Sequence, residues 1–173
     1  MKILMVMLFF LSPLLPPNLW EQSVVIVNKA THEVTFFQKG EEVFRAPAAI
    51  GKTKDLTPEG RFDILVKAKD PYYRKTNIPG GDPKNPLGSR WIGFDARGTD
   101  GRIYGIHGTN RPDSIGKSVS AGCIRMENKQ VEKLFDLVSK DTDVVILESD
   151  QSMKDIFLEW EKGKLDRLIN PTN

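Results

Sequence analysis

Short runs of β-branched and aromatic residues, each closed by turn residues, restrict the fold of this chain more than any other feature. Residues 23–29 contain Val24-Val25-Ile26-Val27, residues 33–37 continue in the same way, and residues 28–31 between them are typical of a turn. This pattern predicts an opening β-hairpin, because β-branched side chains fit pleated strands. Further strands are predicted over residues 42–50, 60–67, 91–95, 102–107 and 143–148.

Two helices are predicted late in the chain by apolar residues at helical spacing. The first follows Asn128, which suits an N-cap, and the second follows the capping pair Ser152 and Asp155. Their apolar positions are Val131, Leu134, Phe135 and Val138 in the first, and Met153, Ile156, Phe157 and Trp160 in the second. Many short strands with few helices indicate a mainly β fold, a sandwich or barrel rather than alternating βαβ units.

The composition excludes several classes of protein. The chain has 173 residues, a length that suits one domain. It contains one Cys and two His, so it can form no internal disulfide framework and lacks the usual ligands of a structural zinc site. We therefore expect no metal and no cofactor. A formal net charge of +2 argues against a dedicated nucleic-acid binder.

Residues 1–20 differ from the rest of the chain. Lys2 precedes an apolar run over residues 3–11, which prolines then interrupt. The run is shorter than the roughly 20 apolar residues that span a membrane, so it predicts a signal peptide or an N-terminal anchor. No clear cleavage site follows, and a buried first strand is the alternative. The signal-peptide interpretation predicts an extracytoplasmic protein, secreted or associated with the cell wall, with this segment as a candidate membrane attachment.

A long segment, residues 77–88, suits neither helix nor central strand, because it holds three Pro and three Gly. Loops of this length often act as lids or binding elements, and a flexible surface excursion is the alternative. The surrounding residues 61–90 contain seven Lys or Arg and three Asp, a local net charge of +4. That charge favours an anionic partner, although a solvated basic face is the commoner explanation of such a stretch.

The residues best suited to catalysis lie between positions 103 and 126. His107 closes a predicted strand, and Cys123 follows sixteen positions later. The turn-rich residues 111–117 between them allow two strand ends to return to each other. A Cys and a His placed together in this way form a nucleophile and its base. The alternative is a small buried Cys, but an exported protein that keeps one unpaired thiol is uncommon.

Each chemical requirement has a candidate residue. A Cys thiol has a pKa of about 8.5, so an imidazolium from His107 would favour the thiolate. The other ring N–H needs an acceptor, and the carbonyl of Gly108 is a candidate because no carboxylate adjoins His107 in the sequence. Gly122 permits an unusual backbone angle that would aim main-chain N–H groups at an oxyanion. Arg125, two positions along a strand from Cys123, should share its face and is a candidate either to bind a carboxylate or to shape the pocket.

These residues together resemble a known signature. The segment His107-Gly108-Thr109-Asn110, followed by Ser120-Ala121-Gly122-Cys123-Ile124-Arg125-Met126, is similar to the catalytic motif of the L,D-transpeptidase catalytic domain (YkuD-type), which acts on bacterial peptidoglycan. The similarity continues through residues 57–62, 85–88 and 90–94 and spans residues 23–148. It implies a β-sandwich-like catalytic domain with a helix after the Cys, and leaves residues 150–173 as a helical extension.

The resemblance also implies an activity and a role for each residue. Cys123 would form a thioester with a peptidoglycan stem peptide by attacking the amide after meso-diaminopimelate, which releases D-alanine, and the acyl group would pass to an acceptor amine. His107 would act as general base and then acid, with the Gly108 carbonyl as its partner. The residues implied to bind substrate are Arg125, Ser120, Gly122, Thr109 and Asn110. Acylation by carbapenem-type β-lactams is implied too. Residues 79–88 are a candidate substrate cap on their position and composition alone.

Two features depart from the family pattern, and three other functions remain as alternatives. Ala121 occupies the position where many family members carry a His, so the base is expected to be His107 alone. The extension 150–173 lies outside the usual domain and is expected to pack on a sheet edge. The alternatives are an L,D-carboxypeptidase that hydrolyses the same acyl-enzyme, a non-catalytic wall-binding module, and an unrelated cysteine protease. The protease is disfavoured because no His follows Cys123.

Overall fold

The computed structural model describes residues 22–169, which form ten β-strands and two α-helices. The predicted leader, residues 1–20, lies outside the described residues. The strands are β1 (Ser23–Asn28), β2 (Glu33–Gln38), β3 (Glu41–Pro47), β4 (Ile50–Gly51), β5 (Gly60–Lys69), β6 (Arg90–Phe94), β7 (Tyr104–His107), β8 (Ser118–Ser120), β9 (Ile124–Arg125) and β10 (Asp143–Leu147). The helices are α1 (Asn128–Leu137) and α2 (Met153–Ile169). Among residues 22–169, neither helix combines the length and the apolar character needed to cross a membrane.

Eight of the strands form one curled sheet in the order β3-β2-β1-β10-β5-β6-β7-β9, and β4 and β8 form a separate parallel pair. In the large sheet β1 pairs with β10, and β7 with β9, in parallel, whereas the other neighbours are antiparallel. The mainly β prediction and the opening hairpin are confirmed. No bounds were predicted for β8 and β9, because three and two residues are too short to show a periodicity.

The main core lies between the sheet and α1. Val131, Leu134 and Phe135 of α1 are buried there, among apolar side chains of β5, β6 and β7. Lys67 Nζ donates to the carbonyls of Phe135 at 2.7 Å and Val138 at 2.5 Å, so its charge also stabilises the C-terminus of the helix. This packing fixes the position of β7, which is the strand that ends at His107.

Helix α2 covers the opposite face of the sheet. Met153, Ile156 and Phe157 pack on Val24, Ile26 and Phe37, and the rings of Phe37 and Phe157 stack with centroids 4.5 Å apart. The predicted position at a sheet edge is therefore wrong. Alternate residues of a strand face opposite sides, so Val25 and Val27 of β1 enter the main core whereas Val24 and Ile26 form a second apolar face that α2 buries.

The two predicted helix starts have different outcomes. Ser152 and Asp155 cap α2 as expected, since the Asp155 N–H donates to Ser152 Oγ at 3.2 Å and the Ser152 hydroxyl donates to the Asp155 carboxylate at 2.6 Å. The N-cap assigned to Asn128 is wrong. Glu127 occupies the N-cap, Asn128 is the first helical residue, and the side chain of Asn128 binds main-chain N–H groups of other segments.

The long segment over residues 77–88 has a defined shape rather than a free excursion. Asn85 is buried within it, and its amide donates to the carbonyls of Pro71 at 2.8 Å and Pro79 at 3.1 Å. The Leu87 N–H donates to Asn85 Oδ1 at 2.9 Å, and Asn110 donates to the carbonyl of Lys84 at 2.8 Å. These bonds anchor the segment beside the strand end that carries His107.

Candidate active site

Strands β7 and β9 bring the sequence-predicted chemical residues together. The two strands are parallel neighbours in which Ile106 pairs with Ile124 and His107 with Arg125. Cys123 directly precedes β9, so it lies one register position before Ile124, beside Gly105. Because residues two apart along a strand point to the same side, His107, Cys123 and Arg125 share one face.

The imidazole of His107 is buried and held in one orientation. Its Nδ1 donates to the carbonyl of Gly108 at 2.6 Å, which is the orienting bond expected from the sequence. The ring stacks on Trp91 with centroids 5.5 Å apart. Because Nδ1 carries the hydrogen, Nε2 is left as the basic nitrogen.

Burial also sets the charge of His107. Burial lowers the imidazole pKa from 6.5 to about 4, and the positive charge of Arg125 lowers it too. The hydrogen bonds to the main chain of Gly108 and Leu87 raise the pKa and offset part of this effect. His107 is therefore neutral at pH 7. The expected imidazolium is wrong for this site, because the interior around the ring opposes any charge on it.

The thiol of Cys123 is half-buried and also uncharged. Its Sγ donates to the carbonyl of Ile103 at 3.4 Å. Burial raises the pKa of the Cys123 thiol, while a hydrogen bond from the main chain of Gly105 and the charge of Arg125 lower it. The resting pair is therefore a neutral thiol and a neutral imidazole.

A tight turn presents Cys123. Ser120 Oγ donates to the carbonyl of Cys123 at 2.6 Å and accepts the Gly122 N–H at 3.0 Å. Gly122 has a φ of +132°, and a Cβ there would lie 2.5 Å from the carbonyl oxygen of Leu56. Only glycine fits this position. The Gly122 N–H is used inside the turn, so it does not point at an oxyanion as expected, and Ser120 acts here as part of the same turn.

Thr57 braces this turn from another part of the chain. Its hydroxyl donates to the carbonyl of Gly122 at 2.9 Å and accepts the N–H of Gly51 at 2.8 Å, and the residue is buried. Thr57 was not predicted as a site residue. Its partner Gly122 is 65 positions away, and no local pattern signals a bond over that separation.

We expect Thr57→Val to loosen the turn. The two side chains have nearly the same shape, but Val leaves the Gly51 N–H and one bond of the Gly122 carbonyl unsatisfied in the interior, at a cost of about 1–3 kcal/mol. Urea unfolding measures this loss, and the acylation rate of Cys123 should fall with it. Thr57→Ser keeps the hydroxyl and is the matched control. Equal stability of Thr57→Val and the wild type would contradict the bracing role.

A cavity of about 330 Å³ adjoins the site. Among the described residues, its wall contains three cations and no carboxylate, and it includes the predicted binding residues Arg125, Thr109 and Asn110. The lining residues are Tyr73, Thr76, Ile78, Lys84, Pro86, Thr109, Asn110, Arg111 and Arg125. Lys84 and Arg111 were not singled out from the sequence, although Lys84 lies within the basic stretch. The segment 77–88 supplies one side of the cavity, as its composition suggested.

Comparison with known proteins decides the family. The model of the L,D-transpeptidase catalytic domain, the YkuD family, matches residues 22–146. This chain belongs to that family. A Bacillus subtilis protein assigned to the L,D-transpeptidases, YqjB, is 58% identical over 137 residues, which cover 78% of this chain and 77% of YqjB. The enzyme class predicted from the motif is confirmed, and α2 lies beyond the matched residues.

Solved L,D-transpeptidases share the fold. The Ldtfm–avibactam carbamoyl enzyme superposes on this chain with a TM-score of 0.60 at 25% sequence identity. The superposed region includes 75% of this chain and 50% of the Ldtfm chain. LdtMt1 in complex with imipenem superposes with a TM-score of 0.57, and its 21% identity shows a shared fold alone. The superposed region includes 59% of the LdtMt1 chain. This chain thus spans about half to three-fifths of the length of these enzymes.

Proposed function

We propose that the chain is a cysteine-dependent L,D-transpeptidase that acts on peptidoglycan stem peptides through a thioester on Cys123. The observation that carries the proposal is the shared face of β7 and β9, where a half-buried thiol, an oriented imidazole and Arg125 lie together. The family assignment to residues 22–146 supports it independently.

The geometry and charges suggest how the reaction proceeds. His107 Nε2 accepts the proton of the Cys123 thiol while Sγ attacks the carbonyl carbon of the donor amide. The C–N bond then breaks, and His107 returns the proton to the departing amine of D-alanine, which leaves a thioester. An acceptor amine attacks the thioester carbonyl, its proton passes through His107 to Sγ, and a new amide forms. Because both resting groups are neutral, His107 acts by general base and then general acid catalysis.

The cationic cavity is the proposed site for the stem peptide. Lys84, Arg111 and Arg125 line it, and stem peptides carry carboxylates that such side chains bind. Thr109 and Asn110 lie on the same wall, so their substrate-binding role remains part of the proposal. Segment 77–88 would cover the bound peptide, since its Ile78, Lys84 and Pro86 form part of the wall.

Covalent trapping of Cys123 tests the proposal. Incubation of the purified chain with imipenem should add the mass of the carbapenem in an intact mass spectrum, because the strained lactam carbonyl offers the thiol the same reaction as the donor amide. Avibactam should also modify it, as the relative Ldtfm forms a carbamoyl enzyme with that compound. Cys123→Ala is expected to show no adduct. A wild-type protein that is folded but never acquires the adduct would contradict the proposal.

The products of a stem tetrapeptide separate the transferase from the hydrolase. A transpeptidase forms a cross-linked dimer when an acceptor stem is supplied, whereas an L,D-carboxypeptidase releases D-alanine and returns a tripeptide. Both reactions share the acyl-enzyme, so the distinction lies in whether an amine or water takes the acyl group. We propose the transferase, and release of D-alanine without dimer would favour the hydrolase.

We also propose an extracytoplasmic location. Its support is the basic and apolar pattern of residues 1–20 together with the location of peptidoglycan outside the cytoplasmic membrane. Attachment to the membrane through the same segment is part of this proposal.

A further inference from the structure

Asn128 links three separate segments at the edge of the candidate active site. It is the first residue of α1, and its Oδ1 accepts the N–H of Ser89 at 3.3 Å and the N–H of Thr109 at 3.1 Å. Ser89 ends the connection from segment 77–88 to β6, and Thr109 follows the strand that carries His107. One amide oxygen thus ties the start of the helix to both.

The fit around this oxygen is close. A Cβ at Gly88 or at Gly108 would overlap Asn128 Oδ1, so both positions accept only a residue without a side chain while Asn128 keeps this position. Asn128 is otherwise exposed. Its oxygen is therefore placed by main-chain contacts at the site and not by burial in the core.

The bond to Thr109 reaches His107 through a single peptide unit. The Thr109 N–H and the Gly108 carbonyl belong to the same planar amide, so the donor and the acceptor turn together. His107 Nδ1 donates to that carbonyl at 2.6 Å. An acceptor on the N–H side holds the amide plane in place and polarises its carbonyl, which strengthens the bond to His107.

We propose that Asn128 is a positioning residue that fixes the tautomer of His107 through the Gly108–Thr109 peptide. With this peptide held, the hydrogen stays on Nδ1 and Nε2 remains the basic nitrogen. The effect on catalysis rests on the proposed function, but the effect of Asn128 on the tautomer of His107 is independent of it. In many proteins a carboxylate accepts the N–H of a neutral histidine and so fixes its tautomer. Here the Gly108 carbonyl is that acceptor, and the side chain of Asn128 holds the Gly108–Thr109 peptide in place.

Acylation kinetics test the consequence for catalysis. We expect Asn128→Ala to lower the maximal rate of Cys123 acylation by imipenem about 10- to 100-fold, with little change in the concentration at half-saturation, because a misplaced base slows the chemical step. Asn128→Asp keeps an acceptor oxygen at the same reach and should restore most of the rate. Lys129→Ala, at the next exposed position of α1, is the matched control and should react like the wild type.

Nitrogen-15 NMR of the histidine rings tests the arrangement without any reaction. The chain has two His, and His32 lies elsewhere, bonded to Ser118, so it serves as an internal reference. The wild type and Asn128→Asp should show His107 with its hydrogen on Nδ1, and Asn128→Ala should show a mixture of the two neutral tautomers. The amide proton of Thr109 should shift upfield in Asn128→Ala as its acceptor is lost.

The outcomes separate this inference from the proposed function. A slower rate and a mixed tautomer in Asn128→Ala, both reversed in Asn128→Asp, would support the positioning role. An unchanged tautomer in folded Asn128→Ala would overturn it, whatever the rate. If the wild type is never acylated, the proposed function fails, yet the NMR comparison still decides whether Asn128 sets the tautomer.

Discussion

Acylation of Cys123 should be about 10²–10⁴-fold slower in His107→Ala than in the wild type, which is the usual contribution of a general base. Both groups are neutral in the resting site, because burial lowers the pKa of His107 to about 4 and raises the pKa of the thiol. Because the thiol is protonated at rest, we expect the rate to depend on proton transfer to the imidazole. Stopped-flow acylation by a carbapenem measures the rate.

The second histidine provides the control for this experiment. His32 Nε2 forms a hydrogen bond with the Ser118 hydroxyl at 2.9 Å, and His32 does not line the site cavity. Cys123 of His32→Ala should therefore be acylated at the wild-type rate. Far-UV circular dichroism should show that both variants keep their strands and helices. Unchanged acylation in folded His107→Ala would remove this residue from the mechanism.

The free energy of unfolding should fall by about 3 kcal/mol between pH 7 and pH 4 because of His107 alone. The folded pKa of about 4 lies below the unfolded value of 6.5, so over this interval the unfolded chain binds a proton that the folded chain does not. Stability from the buried neutral ring is complete above pH 6.5 and is lost as the pH falls toward 4. The size follows from 1.36 kcal/mol for each pKa unit, to order of magnitude.

Urea unfolding at several pH values measures this effect. Other groups titrate in the same interval, so the informative quantity is the difference between the wild type and His107→Gln, whose side chain carries no charge at either pH. We expect the wild type to lose about 3 kcal/mol more than His107→Gln between pH 7 and pH 4. Parallel pH profiles for the two proteins would show that His107 is not held neutral by burial.

The fold was predictable where the pattern of apolar residues is long enough to show a period. The hairpin of β1 and β2 follows from runs of β-branched and aromatic residues separated by a turn, and both helices follow from apolar residues at helical spacing. The position of α2 was not predictable. Its apolar stripe requires a partner, but only the assembled sheet creates the face formed by Val24, Ile26 and Phe37 that it covers.

The candidate site was predictable where partners are close in sequence. Gly108 adjoins His107, so the order of residues alone identifies its carbonyl as the candidate acceptor for Nδ1. Thr57 and Asn128 were not found in these roles, because Thr57 binds Gly122 and Asn128 binds Ser89 and Thr109 across long separations. A threonine in a turn and an asparagine at the start of a helix have commoner local roles, and sequence reasoning assigns those roles first.

The sequence by itself determined the mainly β fold and the family, and it singled out Cys123 and His107 as the proposed nucleophile and base, because these inferences depend on local pattern and on residues that are neighbours in the chain. The tertiary structure alone decided that His107 is neutral, that Lys84, Arg111 and Arg125 line one cavity, and that Asn128 lies behind the Gly108–Thr109 peptide. The physical reason is that the protonation state of a group and the lining of a cavity both depend on all the residues packed around them. Most of those neighbours are distant in sequence and become adjacent only when the sheet curls.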